Sequence, residues 1–250
     1  MSGVTVRPKP EEAELANKEA ELARLVAELS ERELALASLR SQLAAFEGQY
    51  LRVVGVLYAE LDEVNAQIAQ WVAQRSGTRE ATRNATKAQQ QAYESHSAAY
   101  GDKAKVPEFA PTAELRSLYR SVAKKLHPDL TSDPTDREVR EKMMAEANRA
   151  YERGDAGALK RILEEYESSP DTVQGSGVAS DLVRVIRKIT QARNRLAQIG
   201  KTVTELRGSP VGELMMKADE FRKQGRDLLA ELAEGVRKQI VAARQRLATP

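Results

Sequence analysis

The sequence predicts an all-α protein, and three observations carry that expectation. Apolar residues recur at three- and four-residue steps over long stretches. Aromatic residues make up only 4% of the chain and charged residues 30%. No run of alternating β-branched residues reads as a strand. Among 14 Gly and 9 Pro, long uninterrupted segments rich in Ala, Glu, Leu and Arg remain, a profile of extended helices rather than one compact globule. At 250 residues the chain has room for one or two domains and a buried core.

Composition also removes several function classes. With no Cys, structural disulfides, thiolate zinc sites and a cysteine nucleophile are all excluded. The opening "MSGVTVRPKPEEAEL" has no apolar core segment, so no signal peptide is expected. No stretch approaches the roughly 18 consecutive apolar residues of a membrane helix, so the expectation is a soluble, cytoplasmic protein with no membrane partner. The net charge of +2 conceals a segregation: residues 11–75 carry 6 basic against 12 acidic side chains, and residues 178–248 carry 15 against 8. Such an imbalance reads either as two partner surfaces or as two arms that face each other.

Taken in order, residues 1–10 read as a disordered tail. Residues 11–75 read as a coiled-coil helical arm. From Leu15 the apolar positions run Leu22, Leu25, Leu29, Leu36, Leu39, Leu43 and Phe46, with Lys18 and Arg32 filling two slots of a heptad seam. The steps from Phe46 to Tyr50 to Val54 are both fours, the mark of a stutter, before Leu57, Leu61, Val64, Ile68 and Trp71 resume the alternation. Gly48 and Gly55 fall in the same window, so a bend or a hairpin is the alternative there. Residues 76–106 are polar with few apolar anchors. They read as a linker that is partly helical, with a marginal helix over 79–98, and His96 within it reads as incidental.

Residues 107–167 carry the strongest pattern. In "TAELRSLYRSVAKKL", Leu115, Leu118, Tyr119, Val122 and Leu126 share one helical face, with Thr112 as a cap. The opposite face holds Arg116, Arg120, Lys124 and Lys125. Pro128 then ends the helix, leaving His127 at its terminus and Asp129 in the turn beyond. "TDRE" at 135–138 has the form of a capping box, with Thr135 as the cap of a second, antiparallel helix. "RGD" at 153–155 breaks that helix, and Leu159, Ile162, Leu163 and Tyr166 mark a short third one. "SSPDTVQGSG" at 168–177 reads as a linker. Residues 178–248 read as an αα-hairpin with its turn at "RGSP" (207–210). Its cations are spread along both helices, and neither a stacking platform nor a nucleic-acid reading motif accompanies them, so a nucleic-acid partner is not expected.

"LRSLYRSVAKKLHPDL" followed by "MMAEANRAY" resembles a J-domain, the module that recruits and activates DnaK-type chaperones. Tyr119, Ala123, Asn148, Ala150 and Tyr151 stand at the family's offsets. The resemblance covers residues 107–167, with a weaker likeness of the whole to bacterial J-domain proteins that have flanking coiled-coil and helical segments. It implies a co-chaperone that stimulates ATP hydrolysis by its partner and performs no covalent step itself. Arg116, Arg120, Lys124 and Lys125 would dock on an acidic chaperone surface, with Tyr119 on the same helix. His127 and Pro128 would fix the turn, and Asp129 would present its carboxylate to a cation of the partner. The arms would select an unidentified client or form a homodimer.

There are departures. "SHSAAYGDKAKVPEFAP" is a poor substitute for the family's first helix, so residues 156–167 or one of the arms must cover the apolar faces of the two main helices. Ser121 stands where a basic residue is common. No Gly/Phe-rich segment is present, and a zinc-binding substrate domain is excluded by the lack of Cys. Two alternatives remain on the residues themselves. One is an interaction protein with an inactive finger; the other reads His-Pro-Asp as a helix stop. Neither a catalytic nor a metal role is expected for His127, since no nucleophile or third ligand lies near it in sequence, and no cofactor is expected.

Overall fold

The computed structural model describes residues 9–106, 108–131, 133–168 and 178–249, and among them every regular element is helical. The α-helices are α1 (Pro10–Tyr50), α2 (Val56–Ser76), α3 (Arg79–Tyr100), α4 (Ala113–Leu126), α5 (Pro134–Glu152), α6 (Ala156–Ser168), α7 (Val178–Arg207), α8 (Pro210–Lys223) and α9 (Leu228–Ala248). The all-α expectation therefore holds. Residues 1–8 of the expected tail and 169–177 of the expected linker lie outside the described residues. None of the helices, over the described residues, is long and apolar enough to cross a membrane. The chain divides into two units: the first takes α1 up to Arg40 together with Ala110–Glu205, the second Ser41–Phe109 together with the chain from Leu206.

In the second unit, the end of α1, α2, α8 and α9 share a core. Phe46, Val54, Leu61 and Val64 pack with Ala218, Leu229, Val236, Ile240 and Ala243. The stutter does not become a hairpin. A five-residue π-helical turn, Leu51–Gly55, carries helical dihedrals without a break from Tyr50 into α2. Widening one turn absorbs the extra residue and keeps the apolar face in register. Gly48 is needed for a different reason. A Cβ there would stand 2.8 Å from the Lys103 carbonyl oxygen. That crossing segment is held by Arg52, whose Nη1 donates to the carbonyls of Ala104 (2.5 Å) and Val106 (2.9 Å).

Two stretches differ from expectation. Residues 76–106 hold more than a marginal helix: α3 runs 22 residues, capped by Thr78, whose hydroxyl accepts from the Ala81 amide. Gly77, at φ 62°, turns the chain back so that α3 packs along α2. Its anchors are alanines, Ala85 and Ala99, which bury little area apiece but let the two helices approach. The expected helix over 79–98 is therefore present, and longer and better packed than a marginal one. The second stretch is 211–247, which is two helices rather than one. Gly225 at φ 74° ends α8, and Asp227 caps α9 by accepting from the Ala230 amide. "GRD" is a stop-and-start signal in the sequence, though the apolar periodicity runs through it.

In the first unit, α4, α5 and α6 form a three-helix finger packed pairwise. Tyr119, Val122, Leu126, Ala147, Tyr151 and Leu159 are buried at its centre. The local candidate for covering α4 and α5 is thus in place, since Leu159 and Ile162 of α6 are both buried. The α5–α6 corner closes at Gly154 (φ 71°), with the Asp155 amide donating to the Ala150 carbonyl and the Gly154 amide to that of Tyr151. The cap of α5 is Asp133, not Thr135. The Asp133 carboxylate accepts from the Thr135 and Asp136 amides, Pro134 occupies the first turn, and Glu138 pairs with Lys142. Pro134 fits that first turn because it has no amide proton to satisfy, and this shifts the cap one residue ahead of the proline.

The charge segregation is used within the chain. In the first unit Arg193 and Arg195 of α7 pair with Glu21 and Glu33 of α1. In the second, Arg244 of α9 pairs with Glu60 of α2.

Candidate functional site

The site is built where α4 ends. Thr112 caps that helix through the Leu115 amide, and the apolar stripe of Leu115, Tyr119, Val122 and Leu126 fixes which face turns inward. The cations Arg116, Lys124 and Lys125 are therefore exposed, and Arg120 is partly so. His127 leaves the helix with extended dihedrals (φ −60°, ψ 125°), as a residue before proline must. Pro128–Leu130 then form one 3₁₀ turn, closed by the Leu130 amide on the His127 carbonyl at 3.0 Å.

His127 is only 2% exposed, and both ring nitrogens are engaged. Nδ1 accepts the Asp129 amide at 3.2 Å. That bond leaves the proton on Nε2, which donates to Glu33 Oε1 of α1 at 2.9 Å. The same oxygen accepts from Arg195 Nε of α7 at 2.6 Å. A buried carboxylate needs such partners, because an unpaired charge out of water is costly. Burial pushes the Glu33 carboxyl up, but the bonds from His127 and Arg195 outweigh it and hold the group below its ordinary value. The Asp129 carboxylate is 18% exposed and accepts from Arg137 Nη2 of α5 at 2.8 Å.

Tyr119 has no exposed surface, so it can reach no partner directly. Its hydroxyl donates to Asn148 Oδ1 at 2.5 Å, and its ring lies 4.8 Å from that of Tyr151. Burial, with Glu33 nearby, pushes its phenol well above the ordinary range. The Tyr151 hydroxyl in turn meets Ser38 Oγ of α1 at 2.8 Å. The expected site residues thus separate into three groups. Arg116, Arg120, Lys124 and Lys125 form a cationic outer row; Pro128 and Asp129 are partly exposed in the turn; and Tyr119 and His127 sit beneath them as supports.

Four further residues shape the site and were not singled out from the sequence. Glu33, itself paired with Arg195, holds His127, and Arg137 holds Asp129. Arg140 ties the finger together: Nε bonds Asp136 (2.9 Å), Nη1 the Lys125 carbonyl (3.2 Å) and Nη2 the Tyr166 hydroxyl (2.7 Å). A cue for Arg137 and Arg140 existed in the two-helix geometry, which faces α5 arginines toward the α4 terminus. Glu33 and Arg195 gave none, since each reads as one more charge on a charged helix.

The arrangement is a row of outward cations on α4 followed by a single 3₁₀ turn that carries one partly exposed carboxylate. No protein-family model, curated protein or solved structure matches this chain.

Proposed function

We propose that this chain is a J-domain-type co-chaperone, acting in the cytoplasm, that recruits a DnaK-type chaperone and stimulates its ATP hydrolysis. One observation carries the reading: α4 presents Arg116, Arg120, Lys124 and Lys125 outward and ends in a His-Pro-Asp turn whose aspartate is partly exposed. A row of cations steers encounter with an acidic surface and makes it salt-sensitive, whereas a desolvated charge pair at the tip fixes register. Bound in this way, the finger acts by preferring one conformational state of its partner, with no bond made or broken by its own residues. The arms select the client.

A second reading, an interaction protein with an inactive finger, is favoured by the burial of His127 and Tyr119, which assigns both to holding the fold. Single-turnover ATP hydrolysis by a DnaK-type chaperone separates the two. Stimulation by the wild type and its loss in a folded Asp129→Asn are expected. Equal stimulation by a folded Asp129→Asn, or none by the wild type, overturns the co-chaperone reading.

A further inference from the structure

We infer that the His-Pro-Asp turn is completed by residues outside the finger: Glu33 of α1 and Arg195 of α7 are positioning residues that set the presentation of Asp129 through His127. A continuous chain of contacts supports this. Arg195 Nε and His127 Nε2 meet on one Glu33 oxygen, at 2.6 and 2.9 Å. The opposite ring nitrogen receives the Asp129 amide at 3.2 Å. The imidazole therefore links the arm carboxylate to the backbone of the residue whose side chain would touch a partner. With Nδ1 an acceptor, Nε2 must be a donor, and among the described residues its acceptor is Glu33, 94 positions away in sequence.

Two alternatives fit less well. A latch in which α1 hides the docking surface would cover the cationic row, yet Arg116, Lys124 and Lys125 are exposed, and Arg120 meets Glu31 only at 3.6 Å. Between Ala27, Glu28, Ser30 and Glu31 of α1 and Arg120, Ser121 and Lys124 of α4 lies an open groove of about 430 Å³, so this side of the contact is not closed. A purely apolar docking of α1 would have no use for a buried Glu at position 33, because an apolar side chain there carries no desolvation cost. The polar chain has a consequence that apolar packing lacks: it fixes the ring's tautomer and orientation, and hence the turn.

The consequence for function rests on the co-chaperone reading; the consequence for the turn does not. If the turn is held in one conformer by Glu33, loosening it lowers the competent fraction. Apparent affinity then falls by that fraction while the maximal rate is kept. The chain has two histidines, and His96 is exposed on α3, so each molecule carries its own reference for imidazole access.

The test compares the full-length wild type with Glu33→Leu, Arg195→Met and the near-isosteric Glu33→Gln. Diethyl pyrocarbonate modification is followed at both histidines, and hydrogen exchange at the Asp129 amide, with the Val122 and Ala147 amides reporting that the finger stays folded. In the wild type, His127 should react at least about tenfold more slowly than His96. Glu33→Leu should raise both His127 modification and Asp129 exchange by roughly tenfold, the scale of losing a charge-assisted buried hydrogen bond. Arg195→Met should move both in the same direction, and Glu33→Gln, which keeps an acceptor for Nε2, should fall between. In single-turnover hydrolysis with a DnaK-type chaperone, Glu33→Leu should raise the half-maximal concentration about as much as it raises Asp129 exchange, with the plateau unchanged.

The positioning role is overturned if wild-type His127 reacts as fast as His96, or if a folded Glu33→Leu leaves modification and exchange at wild-type values. It is also overturned if the plateau falls while the half-maximal concentration stays fixed. Loosening of the turn in Glu33→Leu together with no stimulation by the wild type would leave Glu33 as the support of the turn and remove the co-chaperone function.

Discussion

Replacing Arg140 by Met should weaken the finger more than any exposed ion pair could, and the size of the effect follows from its partners. The side chain is 12% exposed and reaches three acceptors on three structural segments. The bond to the Tyr166 hydroxyl has a charged donor and is worth about 1.5–3 kcal/mol, and that to the Lys125 carbonyl, at 3.2 Å, about 1 kcal/mol. The pair with Asp136 is an i,i+4 contact to a carboxylate 34% exposed, worth about 0.3–0.5 kcal/mol. The guanidinium also stands 5.3 Å from the Tyr166 ring centroid, a contact worth about 0.5–1 kcal/mol. Water can replace part of the Asp136 and Lys125 terms, so the expected loss is about 2–3 kcal/mol. With an m-value near 2 kcal/mol per molar urea, the midpoint should fall by about 1–1.5 M. Urea unfolding read by pulsed hydrogen exchange in peptides from α4 and α5 reports this unit alone. Arg140→Lys is the informative partner variant: an ammonium keeps the charge and the Asp136 pair but cannot fork to three acceptors, so it should recover less than half of the loss. A shift below about 0.5 kcal/mol for Arg140→Met, or full recovery by Lys, would refute the three-way tie.

The other predictions concern packing and pH. Gly→Ala within a helix normally stabilises by about 0.8–1 kcal/mol. Gly235→Ala, with nothing within 4 Å of the added Cβ, should show that gain in thermal or urea unfolding. Gly48→Ala should reverse the sign and cost about 1–3 kcal/mol, because its Cβ would meet a backbone oxygen at 2.8 Å; equal gains for both would be contrary to the crossing described here. Glu33 makes the first unit sensitive to acid. Its carboxyl is held below its ordinary value of 4.5, so the stability it adds is present above about pH 4.5 and is lost as pH falls through the lowered folded value. Stability measured from pH 7 down to pH 3 should therefore drop less steeply in Glu33→Gln than in the wild type below that point, and parallel profiles would contradict the assignment.

Much of the architecture was legible along the chain because local rules wrote it. The 3.6-residue stripe of Leu115, Tyr119, Val122 and Leu126 specified α4 and its cationic outer row. Pro128 set the helix end, the 153–155 break set the α5–α6 corner, and the double four-step at Phe46, Tyr50 and Val54 marked the place where a π turn forms. Each of these depends on residues within a turn or two of one another. Where local reading failed, it did so for identifiable reasons. In α3 small alanines do the packing that larger residues usually signal, so a helix expected to be marginal runs 22 residues, and at Gly225–Asp227 an apolar period continued across a backbone break.

Only the tertiary structure decided what holds the His-Pro-Asp turn. Glu33, Arg195 and His127 come together from positions 33, 195 and 127, and no periodicity links them. On the sequence Glu33 is one of 12 acidic residues in its arm, indistinguishable from the exposed Glu31 two positions earlier. Burial separates them. In water a carboxylate and a cation attract weakly and carry little specificity, whereas the same groups removed from solvent must be paired and hydrogen-bonded. The sequence by itself determined that a cationic helix ends in His-Pro-Asp. Which charges are desolvated around that turn, and so which fix its shape, depends on how distant helices stack, and only the folded chain specifies it.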